Sequence, residues 1–210
     1  MGKIEITKKV LGICATNCYT VVDTETKEAL IIDPADRADV LIRDWKDKGV
    51  TPTTVLLTHG HFDHIGALVG VKKEYPDIKV YAAAEEKEVM ESPALNLSSS
   101  FGAAFTAQAD VYLEDGDEIE VLGRTCKCLL VPGHTKGGMC YYFPEEHVVF
   151  TGDTLFCYSV GRTDFPTGDA KALENAIREQ LFTLPDETLV LPGHDAQTMI
   201  GKEKKGNPYF

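Results

Sequence analysis

Residues 58–64 read Thr-His-Gly-His-Phe-Asp-His and follow directly on the apolar run Val55-Leu56-Leu57. Half of the chain's six histidines therefore crowd the end of one short, buried strand. The arrangement returns three more times. Leu129-Leu130-Val131-Pro132 leads into Gly133-His134-Thr135, Val148-Val149-Phe150 into Thr151-Gly152-Asp153-Thr154, and Leu189-Val190-Leu191-Pro192 into Gly193-His194-Asp195. Strand ends in a packed sheet face one edge, and loops on a rigid scaffold converge there. Glycines before His134, Asp153 and His194 suit sharp backbone turns. His147, beside Glu145 and Glu146, is the exception and reads as an exposed turn residue.

Neutral imidazoles mixed with carboxylates suit Zn²⁺, Fe²⁺ or Mn²⁺. The loops hold no cysteine, which favours a catalytic site over a closed structural shell, where thiolates are common. His59 and His61 suit one ion, bound from the same side of an extended loop. Asp63 and His64 begin the next helix and point toward a second. With His134, Asp153 and His194 there are seven candidate ligands, too many for one ion. Two ions about 3.5–4 Å apart accommodate them, with Asp153 between and a hydroxide shared.

The rest of the chain is ordinary material for such a scaffold. With 210 residues, 43% hydrophobic and 26% charged, a single domain over 1–210 is expected. A net charge of −12 repels phosphate backbones and argues against a nucleic-acid partner. The only basic cluster is Lys202, Lys204 and Lys205, which reads as a solvated terminus. No secretory signal is visible at the N-terminus and no apolar run approaches the ~18 residues of a membrane span, so a soluble, cytoplasmic protein is expected. The six cysteines read as free, small core residues, with Cys126 and Cys128 on one face of a strand. Oligomeric state is left open.

Residues 18–24 and 28–34 read as a hairpin, 36–49 as a helix with Val40, Leu41, Ile42 and Trp45 on its apolar face, 53–57 as a strand and 64–75 as a helix stopped by Pro76. A strand at 78–83, a helix at 84–91 and a Ser/Ala/Gly-rich excursion over 93–109 follow; the excursion's position suggests one wall of a pocket. The second half opens with strands and pairs 138–144 with 147–153 around Glu145-Glu146. Residues 169–184 form the clearest helix, capped by Asp169, with Leu173, Ala176, Ile177, Gln180 and Leu181 in helical spacing. The pattern suggests two β-sheets face to face with helices on both outer faces, a mixed α/β (α+β) protein.

The His-x-His-x-Asp-His block, Gly133-His134-Thr135, Gly152-Asp153-Thr154 and Gly193-His194, taken in order, resemble the metallo-β-lactamase-fold hydrolases over essentially the whole chain. That resemblance implies a four-layer αββα sandwich. It assigns His59, His61 and His134 to a first metal and Asp63, His64 and His194 to a second, with Asp153 bridging. Asp33 would lie behind the ligands without touching metal; from sequence alone an Asp-Pro turn explains it equally. Zinc is the first expectation, iron or manganese the alternatives.

Asn17-Cys18-Tyr19 and the stretch 161–169 look like the glyoxalase II group, whose members hydrolyse thioesters such as S-lactoylglutathione. Two features depart from it. The C-terminal helical domain that helps hold glutathione has no counterpart here, and Arg162 and Asp164 stand where a lysine and a tyrosine grip glutathione. Single-domain glyoxalase II-like hydrolases are the better match. The expected reaction is attack of the shared hydroxide on a thioester or small ester, with Asp63 and Asp153 as the catalytic carboxylates. Arg162 would anchor a substrate carboxylate; an ion pair with Asp164 or Asp169 is its alternative. Two other activities fit the pattern: a mononuclear-iron persulfide dioxygenase using His59, His134 and Asp153, and a non-hydrolytic metal redox or binding module. His61 counts against the last, because flavodiiron metal domains typically carry glutamate there.

Overall fold

The computed structural model describes residues 2–210. Its first sheet holds six strands in sequence order: β1 (Ile4–Leu11), β2 (Thr16–Asp23), β3 (Glu28–Ile32), β4 (Thr51–Leu56), β5 (Lys79–Ala83) and β6 (Val111–Leu113). The second sheet uses β7 (Glu118–Val121), β8 (Arg124–Leu130), β9 (Met139–Phe143) and β10 (Val148–Gly152), and a small hairpin, β11 (Leu155–Phe156) with β12 (Ser159–Val160), follows. The chain then returns through β13 (Leu189–Pro192) and β14 (Thr198–Met199), giving the order β14-β13-β10-β9-β8-β7. Helices α1 (Ala38–Asp47), α2 (Phe62–Ile65), α3 (Leu68–Glu74), α4 (Lys87–Glu91), α5 (Ser98–Phe101), α6 (Ala170–Ala176) and α7 (Ile200–Gly206) complete the fold.

Side-chain alternation along the strands creates the layers. On β3, Leu30 and Ile32 face the second sheet, where they meet Cys128, Met139, Tyr141 and Phe150. Ala29 and Ile31 face the other way, toward Leu41, Trp45 and Val71 of α1 and α3. Successive strand residues point to opposite faces, so an apolar run buried on both sides belongs in the middle of a sandwich. The second sheet's outer face presents Cys140, Val149 and Val190 to Leu173, Ile177 and Leu181. Trp45 is fully buried, and its indole N–H donates to Thr20 Oγ1 at 3.0 Å. The expected αββα sandwich is the observed fold. Cys126 and Cys128 share the inter-sheet face, and all six cysteines are free. Among the described residues no helix is long and apolar enough to cross a membrane.

Three local expectations change. The helix expected over 64–75 is two short ones, because Ala67 N–H donates to Pro34 O at 2.9 Å and breaks the ladder between α2 and α3. The helix expected over 169–184 starts as expected, with Asp169 accepting from Lys171 N and Ala172 N at 2.9 Å, but passes into a π-turn over Ile177–Leu181. Gln180 is half-buried there and donates to Asp115. The C-terminal segment is docked rather than solvated. Glu203 of α7 is buried and accepts from Tyr158 N (3.0 Å), Thr198 Oγ1 (2.5 Å) and Asn207 Nδ2 (2.8 Å).

Candidate metal centre

Loops leaving β3, β4, β8, β10 and β13 bring Asp33, the His59–His64 block, His134, Asp153 and His194 to one edge of the sandwich. Backbone geometry makes the approach possible. Gly152 has φ +50°, and a Cβ there would strike the Thr58 side chain. A Cβ on Gly193 would strike Asp153 Oδ1 and stand 2.7 Å from His64 Cε1. Neither position tolerates a larger residue without moving the site.

Two triads result. One ligand atom each from His59, His61 and His134 lie within 4.8 Å of one another, and the same holds for Asp63, His64 and His194. Asp153 lies between them: Oδ1 is 3.3 Å from His64 Nε2, and Oδ2 is 3.3 Å from His194 Nε2 and 3.7 Å from His134 Nε2. Asp153 also closes a third group with His59 and His64. All seven ligand candidates thus meet in one place.

A shell of hydrogen bonds holds these groups. Asp33, at φ +49°, accepts from Thr58 N (2.8 Å) and Thr58 Oγ1 (2.6 Å), and its Oδ2 lies 2.8 Å from His64 Nδ1. That contact leaves His64 Nε2 for the site. His134 Nδ1 lies 2.7 Å from the carbonyl of Arg162, which fixes that ring in the same way. Thr16 Oγ1 donates to Asp63 Oδ2 at 2.8 Å. Tyr141 OH donates to Leu57 O (2.7 Å), Tyr19 OH to Pro192 O (2.8 Å) and Asn17 Nδ2 to Pro192 O (2.9 Å), pinning two of the strand ends. Glu86 is fully buried; it accepts from Gly60 N at 2.7 Å, from Gly137 N at 3.0 Å and from Thr135 Oγ1. It therefore ties the His59–His61 loop to the His134 loop.

Burial and mutual charge split the imidazoles into two kinds. In the metal-free protein, burial and neighbouring imidazoles hold His59 well below the ordinary histidine range and His61 down at about 3; burial also lowers His134. His64 and His194 go the other way. Burial opposes their charge, but Asp153, Asp63 and Asp33 push His64 well up, and Asp153 and Asp63 raise His194 to about 9. Burial likewise opposes ionisation of Asp63 and Asp153, yet His64 and His194 hold Asp63 down at about 2 and Asp153 well below the carboxylate range. Cys14 sits beside Asp63, and burial together with that carboxylate lifts its thiol to about 11, so it stays protonated.

Arg162 differs from the other predicted site residues. Its exposed guanidinium forks onto Asp164 at 2.7 and 2.6 Å and lies 3.7 Å from the Phe165 ring centre. The ion-pair alternative is the observed geometry, and the contribution to the centre comes from the main-chain carbonyl. His147 is half exposed in a turn, away from the site. Glu86, Thr16 and Cys14 carry no sequence signal of their role. Glu86 looks like any other acid in a charged helix, and its partners lie 26 to 51 residues away.

The donor set suits bound cations. His59 Nε2, His61 Nε2 and Asp153 Oδ1 are buried without a hydrogen-bond partner, an arrangement that costs about 1–3 kcal/mol per group unless something else satisfies them. Divalent cations would satisfy such nitrogen and oxygen donors.

Known proteins place the chain. Residues 11–194 match the metallo-beta-lactamase superfamily. A probable metallo-hydrolase, YqgX of Bacillus subtilis, is 37% identical over 95% of this chain and 94% of its own, and the hydroxyacylglutathione hydrolase GloC of Haemophilus influenzae is 35% identical over 92% of each. Among solved structures, the BLEG-1 B3 metallo-beta-lactamase superposes with TM-score 0.92 at 38% identity, covering 98% of this chain and 99% of that one. A di-iron-bound form of TTHA1623 gives 0.86 at 35%, covering 97% and 100%. ETHE1 from Myxococcus xanthus gives 0.81 at 32%, covering 97% and 83%. Motif order, sandwich architecture and these likenesses agree: the chain belongs to the metallo-beta-lactamase superfamily.

Proposed function

We propose that the chain is a one-domain, cytoplasmic, binuclear hydrolase that cleaves a thioester or small ester. The observation that carries this reading is the placement of Asp153, whose carboxylate lies against both triads, with Oδ1 beside His64 and Oδ2 between His194 and His134. Likeness to a hydroxyacylglutathione hydrolase supports the thioester. His59, His61 and His134 would hold one ion, and Asp63, His64 and His194 the other, with Asp153 shared. Zinc fits such a set, and the di-iron relative gives iron a place beside it. When bound, a pair of divalent cations supplies Lewis acidity and brings the pKa of a bound water to near neutral.

The protein's own groups do the rest. Asp63, steadied by Thr16, would accept a hydrogen bond from the attacking water and orient it. Asp33 and the Arg162 carbonyl hold the rings of His64 and His134 so that their other nitrogens face the centre. A thiolate leaving group needs little proton transfer, so the reaction does not call for a strong general acid, and the Cys14 thiol beside Asp63 stays protonated. The substrate would be a small molecule reaching the open edge of the sandwich.

The second reading is an iron-dependent persulfide dioxygenase, which would use His59, His134 and Asp153. Likeness to ETHE1 and to the di-iron protein favours it over other rivals. Elemental analysis of protein purified without added metal, followed by thioester turnover and oxygen uptake with glutathione persulfide, separates the two. About two ions per chain with thiol release from S-lactoylglutathione or a simpler thioester is the expected result. One iron per chain with oxygen consumption and no hydrolysis would replace it.

A further inference from the structure

A cavity of about 310 Å³ opens against the second triad, with Asp63 in its wall. Phe62, Phe101 and Phe105 line it, together with Ile13 from the β1–β2 turn. Phe62 and Phe101 stack with ring centres 5.0 Å apart and planes 10° from parallel. Ile13 and Phe101 are 78% and 48% exposed, among the most exposed large apolar side chains of the described residues, and both border this one cavity. Its only ionisable lining groups are the carboxylates of Asp36 and Asp63.

The wall is built into the centre. Asn96 is buried; its Nδ2 donates to Phe105 O at 2.9 Å and its Oδ1 accepts from Ser98 N at 2.9 Å. Its carbonyl accepts from Phe62 N at 2.8 Å, at the start of the helix that carries Asp63 and His64. The 93–109 excursion is therefore fastened to the second triad.

Resting on the hydrolase reading, we infer that this cavity is the specificity pocket and receives an uncharged, apolar group of about phenyl size next to the scissile bond. Size allows it, since an engineered cavity of about 150 Å³ already holds benzene. Charge selects it. No lysine or arginine lines the cavity to pair with an anionic arm, and the Asp36 carboxylate and the chain's net charge of −12 disfavour one. The group arrives on either the acyl or the thiol side of the thioester, and the two are distinguishable.

The test uses metal-loaded protein. On the acyl side, kcat/KM is compared for the phenylacetyl and succinyl thioesters of N-acetylcysteamine. On the thiol side, it is compared for acetyl thioesters of benzyl mercaptan and mercaptoacetate. A preference of about tenfold or more for the aromatic member in one arm is expected. Phe101→Ala should erase most of that ratio, and Asp36→Asn should narrow it by improving the anionic member. Equal rates in both arms, or a ratio untouched by either substitution, overturns the pocket. If no thioester is cleaved, the hydrolase reading fails separately, and calorimetry decides the pocket. Phenylacetate binding tighter than succinate, and weakened by Phe101→Ala, sustains it; equal binding of the two acids ends it.

Discussion

The two triads that meet at Asp153 are built on different electrostatics. His59, His61 and His134 are buried among one another and stay neutral, so an ion entering there displaces no proton. The second triad joins a fully buried His64 to part-exposed Asp63 and His194 among carboxylates, and its imidazoles hold protons in the metal-free protein. Their supports differ as well. Glu86 ties the two loops that carry the first triad, whereas Asp33 orients His64 of the second. One half is preformed and dry; the other is charged, pH-sensitive and next to the cavity. An ordered filling, first triad before second, follows from that contrast.

Asp153 is where the contrast must disappear. Asp153→Ala removes the group common to both halves, so both ions should be lost or severely weakened, with activity down by about 10³-fold or more. Metal content and turnover measured on one preparation check this. A variant with full metal content and normal turnover would refute the shared assignment.

Acidification should separate the halves again. A histidine must shed its proton before it binds an ion, and His194 is raised to about 9 while His64 is raised too. Affinity at the second triad should therefore fall with falling pH, by up to about tenfold per unit for each proton displaced. The first triad, with His61 near 3 and its neighbours also lowered, has no such proton to lose above mild acidity. Metal content followed from about pH 8 to about pH 6 should pass through a stage with one ion per chain. Parallel loss of both ions would show that the halves are not electrostatically distinct.

Removing the supports one at a time tests the same point with smaller effects. Asp33→Asn keeps the left-handed backbone, which asparagine tolerates, but presents an uncharged amide to His64. It should weaken the second ion about 10–100-fold and leave the first alone. Glu86→Ala strands the Gly60 and Gly137 amides and the Thr135 hydroxyl, with a stability loss of about 3 kcal/mol, and should disturb the first ion preferentially. Cobalt titrated into each variant, followed by absorbance, reports which half has changed. The same half failing in both variants would contradict the division of labour.

This division was only partly legible in the sequence. Apolar runs ending in Gly-His, Gly-Asp or His-x-His are local signals, and they located the strands, the sandwich and all seven ligand candidates. Asp33 came only through the family resemblance, because an aspartate before Pro34 reads equally well as a turn. Supports made by distant contacts left no trace. Glu86 is flanked by Glu85, Lys87 and Glu88, and only the folded chain brings Gly60 and Gly137 to its carboxylate. Strand β1 alternates charged and apolar residues, which is strand-like, but as an edge strand it buries too little to declare itself. Helix α7, read as a solvated basic tail, buries a glutamate that the surrounding lysines disguise.

Arg162 offers the smallest effect and the finest distinction. Its guanidinium is more than half exposed and already paired with Asp164, an arrangement that contributes about 0–1 kcal/mol at a surface. Its carbonyl, which holds His134, survives any side-chain substitution. Arg162→Ala should therefore leave both ions in place and shift stability by no more than about 1 kcal/mol. If the side chain also meets substrate, it must leave Asp164 to do so, and KM for an anionic thioester should rise while kcat and the neutral thioester are untouched. An unchanged KM for both would confine Arg162 to its backbone role. A loss of metal would mean that the guanidinium supports His134 after all, and that the first triad is less self-sufficient than its burial implies.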